Sequence, residues 1–198
     1  MIFLLTFLRT IQPLSVGLEK NLKAIVRTKI LKRREYLEKS GQICKNIYFV
    51  QKGLLRFDYP LGHKSMSHSF RKENEICASW YSFFSQQPGI IKIRALERCV
   101  VHYIDFEDFC MLTQKFPEFN IMCWTLIGKY LRTTDQRLMQ MWMQPAYNRY
   151  QWIISESPDL LERVSGKDLA SYLGIGPAML CRLKSRASQQ ISKVEKQS

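Results

Sequence analysis

Residues 117–143, PEFNIMCWTLIGKYLRTTDQRLMQMWM, constrain the fold more than any other stretch of the chain. Trp124, Ile127, Leu131, Thr134, Leu138 and Met141 recur at spacings of three, four, three, four and three, a heptad seam with one polar break. A proline in the first turn loses no helical hydrogen bond and no glycine follows Gly128, so the stretch reads as one long helix. Two covers are open to so narrow a seam. It can lie on the body of its own chain, or it can meet the same helix of a second copy and make a homodimer through Trp124, Ile127, Leu131, Leu138 and Met141.

On either side of that helix the patterns differ. From Ile30 to about Asp105 the chain consists of short runs rich in Ile, Val, Tyr and Phe, broken by Gly and Pro, as strands joined by tight turns are. NIYFVQKGLLRFDY holds two of them, hinged at Gly53, and a turn is expected at residues 60–62. Further strands are expected near 67–70, 90–95 and 99–104, which suggests a small antiparallel barrel or jelly roll. Asp105 then stands as an N-cap whose carboxylate can accept from the amide of Asp108, opening a helix that stops before Pro117. At the start, MIFLLTFLRTIQPL suits a helix packed through Ile2, Leu5 and Leu8. Its apolar run is too short to span a bilayer and lacks the basic flank of a secretory signal. The expected location is the cytoplasm, with no membrane partner.

With 198 residues the chain can bury a real core in one large or two small domains. The expected division is a sensing β-domain over 1–116, the helix 117–143, and a helical domain over 144–198; the polar tail QISKVEKQS is expected to lack order. A net charge of +13 points to a polyanionic partner, but lysines and arginines between 20 and 34 are as dense as those between 182 and 186. Six cysteines without a CxxC pair read as reduced and structural, so no iron-sulfur cluster is expected. His63, His68 and His102 are too few and too scattered for a metal site or for metal-dependent cupin chemistry, so no metal, no cofactor and no enzyme activity are expected.

SGKDLASYLGIGPAMLCRLKSR, residues 165–186, carries the chemistry. Ser165 can cap a first helix and Asp168 takes the place of a capping-box acid. Leu169, Ala170, Leu173, Leu180 and Leu183 form an apolar set that holds two helices together. Gly174 can take the left-handed backbone that ends the first, and Pro177 opens the second. This is the pattern of a helix-turn-helix, whose second helix would present Ala178, Met179, Cys181, Arg182, Ser185 and Arg186 to a major groove. A packed helical hairpin with the same caps is the competing reading.

Together with GQICKNIYFVQKGLLR, ENEICASWYSFF and FPEF, that stretch resembles the CRP/FNR superfamily of bacterial transcription factors, in particular its shorter Bacteroidetes members, over nearly the full length. The resemblance implies an α+β chain: an N-terminal antiparallel jelly roll of cyclic-nucleotide-binding type, a long dimerisation helix and a C-terminal winged helix-turn-helix. It also implies a homodimer on two-fold symmetric double-stranded DNA, with RNA polymerase and a small effector as further partners. Two departures shape the expectation. Cyclic-nucleotide binders of the family use a Gly-Glu pair and an Arg-Ser or Arg-Thr pair; here Asn74-Glu75 and Gly89-Ile90 stand in those places. Without the bidentate cation cyclic AMP is not the expected effector, while another ligand met by Glu75, Trp80, Tyr81 and Phe84, or constitutive activity, stays open. In the recognition helix Ala178 replaces the family's glutamate. Arg182 is assigned to a base edge, Lys167, Lys184 and Arg186 to phosphates, and Met179 to an apolar base contact. A ligand-binding or protein-interaction module that has lost DNA reading is the alternative.

Overall fold

The computed structural model describes residues 2–62 and 64–195, with Lys64 and residues 188–195 described through their backbone. The chain forms two compact units, Met1–Arg132 and Thr133–Ser198, and the division falls within the long helix.

In the first unit, α1 (Ile2–Arg9) and α2 (Val16–Ile25) precede eight strands: β1 (Arg27–Leu31), β2 (Tyr36–Glu38), β3 (Asn46–Lys52), β4 (Leu55–Leu61), β5 (Lys64–Arg71), β6 (Glu75–Cys77), β7 (Lys92–Ala95) and β8 (Cys99–Asp105). Helix α3 (Trp80–Ser85) interrupts them, and α4 (Phe106–Lys115) and α5 (Pro117–Met143) follow. The strands make two antiparallel four-stranded sheets, in the orders β1-β8-β3-β6 and β2-β7-β4-β5. Leu31, Tyr48, Val50, Leu55, Phe57, Ile93 and Val101 fill the space between them. A second core lies outside the first sheet, where Leu4, Leu5, Leu8, Leu18 and Leu22 of the N-terminal helices meet Phe49, Ile104, Leu112, Phe119 and Met122. Each fully buried side chain there, such as Leu18 or Met122, contributes about 1.5–3 kcal/mol of transfer free energy.

Local chemistry explains the joints. Gly53 turns β3 into β4 at φ 102°, and a Cβ there would stand 2.5 Å from Cys99 Sγ, so only glycine fits. Asp105 caps α4 as expected: Oδ1 accepts from the Asp108 amide at 2.8 Å and Oδ2 accepts from Arg27 at 2.7 Å. That amide and the Arg27 guanidinium hold the Asp105 carboxyl below the usual range.

Some expectations need correction. Ile2 is 78% exposed, and Leu4, Leu5 and Leu8 form the packed face of α1, because a helix turns 100° per residue. Pro60 lies within β4 rather than in a turn; β7 pairs with β4 only as far as Asp58, so the missing N–H interrupts no ladder on that side. Helix α2 was not anticipated although Ser15 caps it and Leu18 and Leu22 are buried at helical spacing, whereas α3 and the short strands β2 and β6 carry too few residues to show a period.

The second unit is helical. After α5 come α6 (Ala146–Glu156), α7 (Leu160–Arg163), α8 (Gly166–Tyr172) and α9 (Pro177–Glu195). Helix α9 continues through most of the tail expected to lack order; residues 196–198 lie outside the described residues. Among the described residues this unit holds no strand, so the expected wing is not seen there.

Candidate nucleic-acid interface and sensor groove

The pair α8 and α9 is built as its residues dictate. Ser165 Oγ accepts from the Asp168 amide at 3.2 Å, and Leu169, Ala170, Leu173, Leu180 and Leu183 are all buried. Gly174 takes φ 64°, and the Ile175 amide reaches back to the Ala170 carbonyl at 3.0 Å. A side chain at Gly174 would also meet the Met141 methyl at 2.6 Å.

With those leucines turned inward, Ala178, Cys181, Arg182 and Ser185 are exposed at i, i+3, i+4 and i+7 and share one outward face of α9. Lys167, Lys184 and Arg186 are exposed as well; Met179 is half-buried, which narrows the apolar base contact expected of it. Sequence reasoning missed what steadies this face. The Arg186 guanidinium lies over the Tyr147 ring at 4.4 Å, and Arg137 lies over Tyr172 at 3.9 Å. Arg149 donates from Nε to the Leu173 carbonyl at 3.0 Å and from Nη1 to the Gln144 carbonyl at 2.8 Å, pinning the end of α8. A carbonyl acceptor leaves no mark in a sequence, so nothing singled Arg149 out.

Along α5, Trp124, Leu131 and Leu138 are 74%, 53% and 42% exposed, whereas Ile127 and Met141 are half-buried. Ile121 and Trp142 are exposed instead, at 50% and 80%. The outward stripe therefore runs Ile121, Trp124, Gly128, Leu131, Asp135, Leu138 and Trp142, which keeps three of the seam residues and exchanges the rest for the opposite flank.

In the first unit the four expected pocket residues do not converge. Trp80, Tyr81 and Phe84 of α3 line an open groove of about 500 Å³ with Ile127, Tyr130 and Leu131 of α5. Glu75 is absent from that lining; its Oε2 accepts from the Lys72 amide at 2.9 Å and closes its own turn. Arg94 points away from the barrel interior, because its neighbours Ile93 and Ala95 belong to the core between the sheets. Arg71, not anticipated, lies over Phe57 and Tyr130 at 5.8 and 5.7 Å.

Gly89 is buried, with its amide donating to the Gln42 carbonyl at 3.0 Å and its carbonyl accepting from Gly41 at 2.7 Å. A Cβ there would stand 2.8 Å from Ser79 Oγ and 2.9 Å from Ser82 Cβ.

The six cysteines are free. Burial pushes the thiols of Cys44 and Cys123 up to about 12 and that of Cys99 to about 11. His68 stacks on Tyr59, His102 packs on Phe49, and His63 lies outside the described residues. No group of His, Cys, Asp or Glu among the described residues is placed to hold a metal, and no described helix is long and apolar enough to cross a membrane.

No known family model and no curated protein matches the sequence. Solved structures do. FixK2 from Bradyrhizobium japonicum superposes with a TM-score of 0.74 at 14% identity, over 84% of this chain and 86% of its own. The c-di-GMP-responsive regulator CLP of Xanthomonas campestris gives 0.71 at 16% identity over 89% and 93%, respectively. A CRP/FNR-family transcriptional regulator from Eubacterium rectale gives 0.69 at 14% identity over 89% and 85%. At identities this low the likeness is one of backbone, and on it this chain has the fold of the CRP/FNR regulators.

Proposed function

We propose that this chain is a DNA-binding transcriptional regulator that acts in the cytoplasm as a homodimer on a two-fold symmetric operator. One observation carries the reading: the buried leucine set of α8 and α9 leaves Ala178, Cys181, Arg182 and Ser185 on one exposed face, flanked by Lys167, Lys184 and Arg186. Arg182 reads a guanine edge, and the flanking cations meet phosphates. Ala178 offers no acceptor to cytosine, so the site is read with fewer base contacts.

The exposed stripe of α5 supports self-association, since a single copy leaves Trp124, Leu131, Leu138 and Trp142 in water. Two antiparallel sheets between which the chain alternates support a jelly-roll sensor. The closed backbone around Gly89 supports control by something other than cyclic AMP, and the aromatic groove beside α3 is where an effector with an apolar surface would act. RNA polymerase is the partner through which such a regulator would work.

Selection of binding sites from a random duplex pool, run with the wild type and with Arg182→Ala, tests the reading. The wild type should return a two-fold symmetric site, and the variant should bind it about 5- to 150-fold more weakly, the equivalent of about 1–3 kcal/mol for a bidentate base contact. Equal affinity of the two proteins removes the role assigned to Arg182. No enrichment by the wild type, in the presence of screened ligands as well, favours the module that no longer reads DNA.

A further inference from the structure

The second core does not close. Between the outer face of the first sheet, the N-terminal helices and the near end of α5 it leaves a cavity of about 70 Å³. Leu8 of α1, Leu22 of α2, Phe49 of β3, His102 of β8, and Met122 and Leu126 of α5 are among its walls. Phe49 and its cross-strand partner His102 turn toward it, while their neighbours Val50 and Val101 face the other sheet. The cavity therefore lies outside the space between the sheets.

Ring contacts hold its walls apart. Phe49 is fixed by Phe7 at 5.2 Å and by His102 at 6.3 Å, the latter parallel to it within 5°. Trp80 stacks on Phe84 at 5.9 Å, and Phe84 meets Phe109 edge-on at 6.1 Å. Planar rings tied to one another adapt to a gap less readily than Leu or Met.

Among the described residues no Lys, Arg, Asp or Glu lines the cavity. His102 shares a hydrogen bond of 2.8 Å between Nδ1 and Thr28 Oγ1, and burial holds its pKa below the usual histidine range, so the ring is uncharged at neutral pH. A trapped water would need about two to four polar partners, and walls of aliphatic and aromatic carbon leave such a space dry. Every side chain around a dry space forgoes contacts that an apolar occupant restores without displacing a hydrogen bond. An apolar void of roughly 150 Å³ takes benzene or xenon. At about 70 Å³ this one suits xenon or a short alkane and excludes a nucleotide.

Trp80, Phe84 and Ile127 line both this cavity and the open groove beside α3. Phe84 is 47% exposed, so a ring that already meets solvent forms part of the partition. We propose that the cavity is a binding site for a small uncharged apolar molecule, of the size of a short alkane, admitted past Trp80 and Phe84. It is distinct from the groove and stands whether or not α9 reads DNA. Met122, Cys123, Leu126 and Ile127 give the occupant a hold on the inner side of α5, whose outer side carries Trp124 and Leu131. An occupant thus stabilises the packing of that helix on the first sheet.

Xenon, titrated into the full-length protein and followed by NMR of the side-chain methyls, tests the site. The methyls of Met122 and Leu126, which line the cavity alone, should shift along a saturating curve, ahead of those of Leu131, which lines the groove alone. Cys123→Leu puts a branched chain into the cavity without touching the groove. It should abolish the saturating response and melt no lower than the wild type, because it fills a void. Ile76→Phe should do the same from the sheet side. Sodium butyrate, a chain of similar size that carries a charge, should not displace xenon. The site is overturned by a wild type without a saturating response, by shifts confined to Leu131, or by a response that survives in both variants. Displacement by butyrate overturns the class of ligand. If both variants melt well below the wild type, the walls already fill the space, and the proposal falls.

Discussion

Replacing Gly89 with arginine would supply the residue that the sequence resemblance sets at this position in cyclic-nucleotide binders, and it should destabilise the first unit without creating a nucleotide site. The obstruction begins at Cβ, which would stand 2.8 Å from Ser79 Oγ and 2.9 Å from Ser82 Cβ, both residues being buried. Ser82 cannot yield freely, since its hydroxyl accepts from the Cys44 amide at 2.9 Å and donates to the Gln87 carbonyl at 2.5 Å. Overpacking costs about 1–3 kcal/mol, and leaving the buried Cys44 amide unmatched costs about 1–3 kcal/mol more. A total of about 4 kcal/mol in a unit of this size lowers its thermal transition by about 10–20 °C. Circular dichroism melts of wild type, Gly89→Ala and Gly89→Arg, with calorimetric titration of cyclic AMP into each, read both halves of the claim. The alanine variant should show most of the loss, because the clash is already present at Cβ, and none of the three should bind the nucleotide. An arginine variant that melts with the wild type and binds cyclic AMP would show that α3 moves aside easily, and the steric argument would be wrong.

Leu131→Arg places a charge in the middle of the exposed α5 stripe and should convert the proposed dimer to a monomer at micromolar concentration in sedimentation runs; identical sedimentation of variant and wild type would show that the stripe is not the interface of a dimer. Glu38 is held above the usual carboxyl range by desolvation, while the Tyr48 hydroxyl donates to it at 2.5 Å. A folded-state carboxyl that keeps its proton while the unfolded one ionises contributes stability below the unfolded value, and that stability is lost as pH rises through the folded one. Glu38→Gln should therefore flatten the decline in stability as pH rises above about 4.5, measured by urea melts; a variant with the wild-type slope would mean that another group titrates there.

Much of the architecture could be read directly because single residues act locally. Ser165, Gly174 and Pro177 specify a cap, a left-handed stop and a first turn, so both bounds of α8 and the start of α9 followed from them. Asp105 did the same for α4. What failed was direction. The heptad on α5 is satisfied equally well by two flanks of one helix, and only the packing of the other elements shows that Ile127 and Met141 are half-buried while Ile121 and Trp142 are exposed. Glu75 was grouped with Trp80 and Phe84 by nearness in sequence, yet its carboxylate closes a turn while the aromatic rings face a groove. Arg149, Tyr147 and Arg71 escaped notice because a carbonyl acceptor, or a guanidinium laid over a ring, is a pairing for which composition and spacing give no signal.

Cys181 stands on the same exposed face of α9 as Arg182, while Cys44, Cys77 and Cys99 are buried and Cys110 and Cys123 half-buried. Burial keeps the thiols of Cys44, Cys77, Cys99 and Cys123 protonated at neutral pH, so a brief maleimide reaction should modify position 181 well ahead of them. Once the half-buried Cys110 is replaced, the chain offers an optical probe at the surface proposed to meet a groove, and the emission of one dye can test for an encounter with DNA without an introduced cysteine.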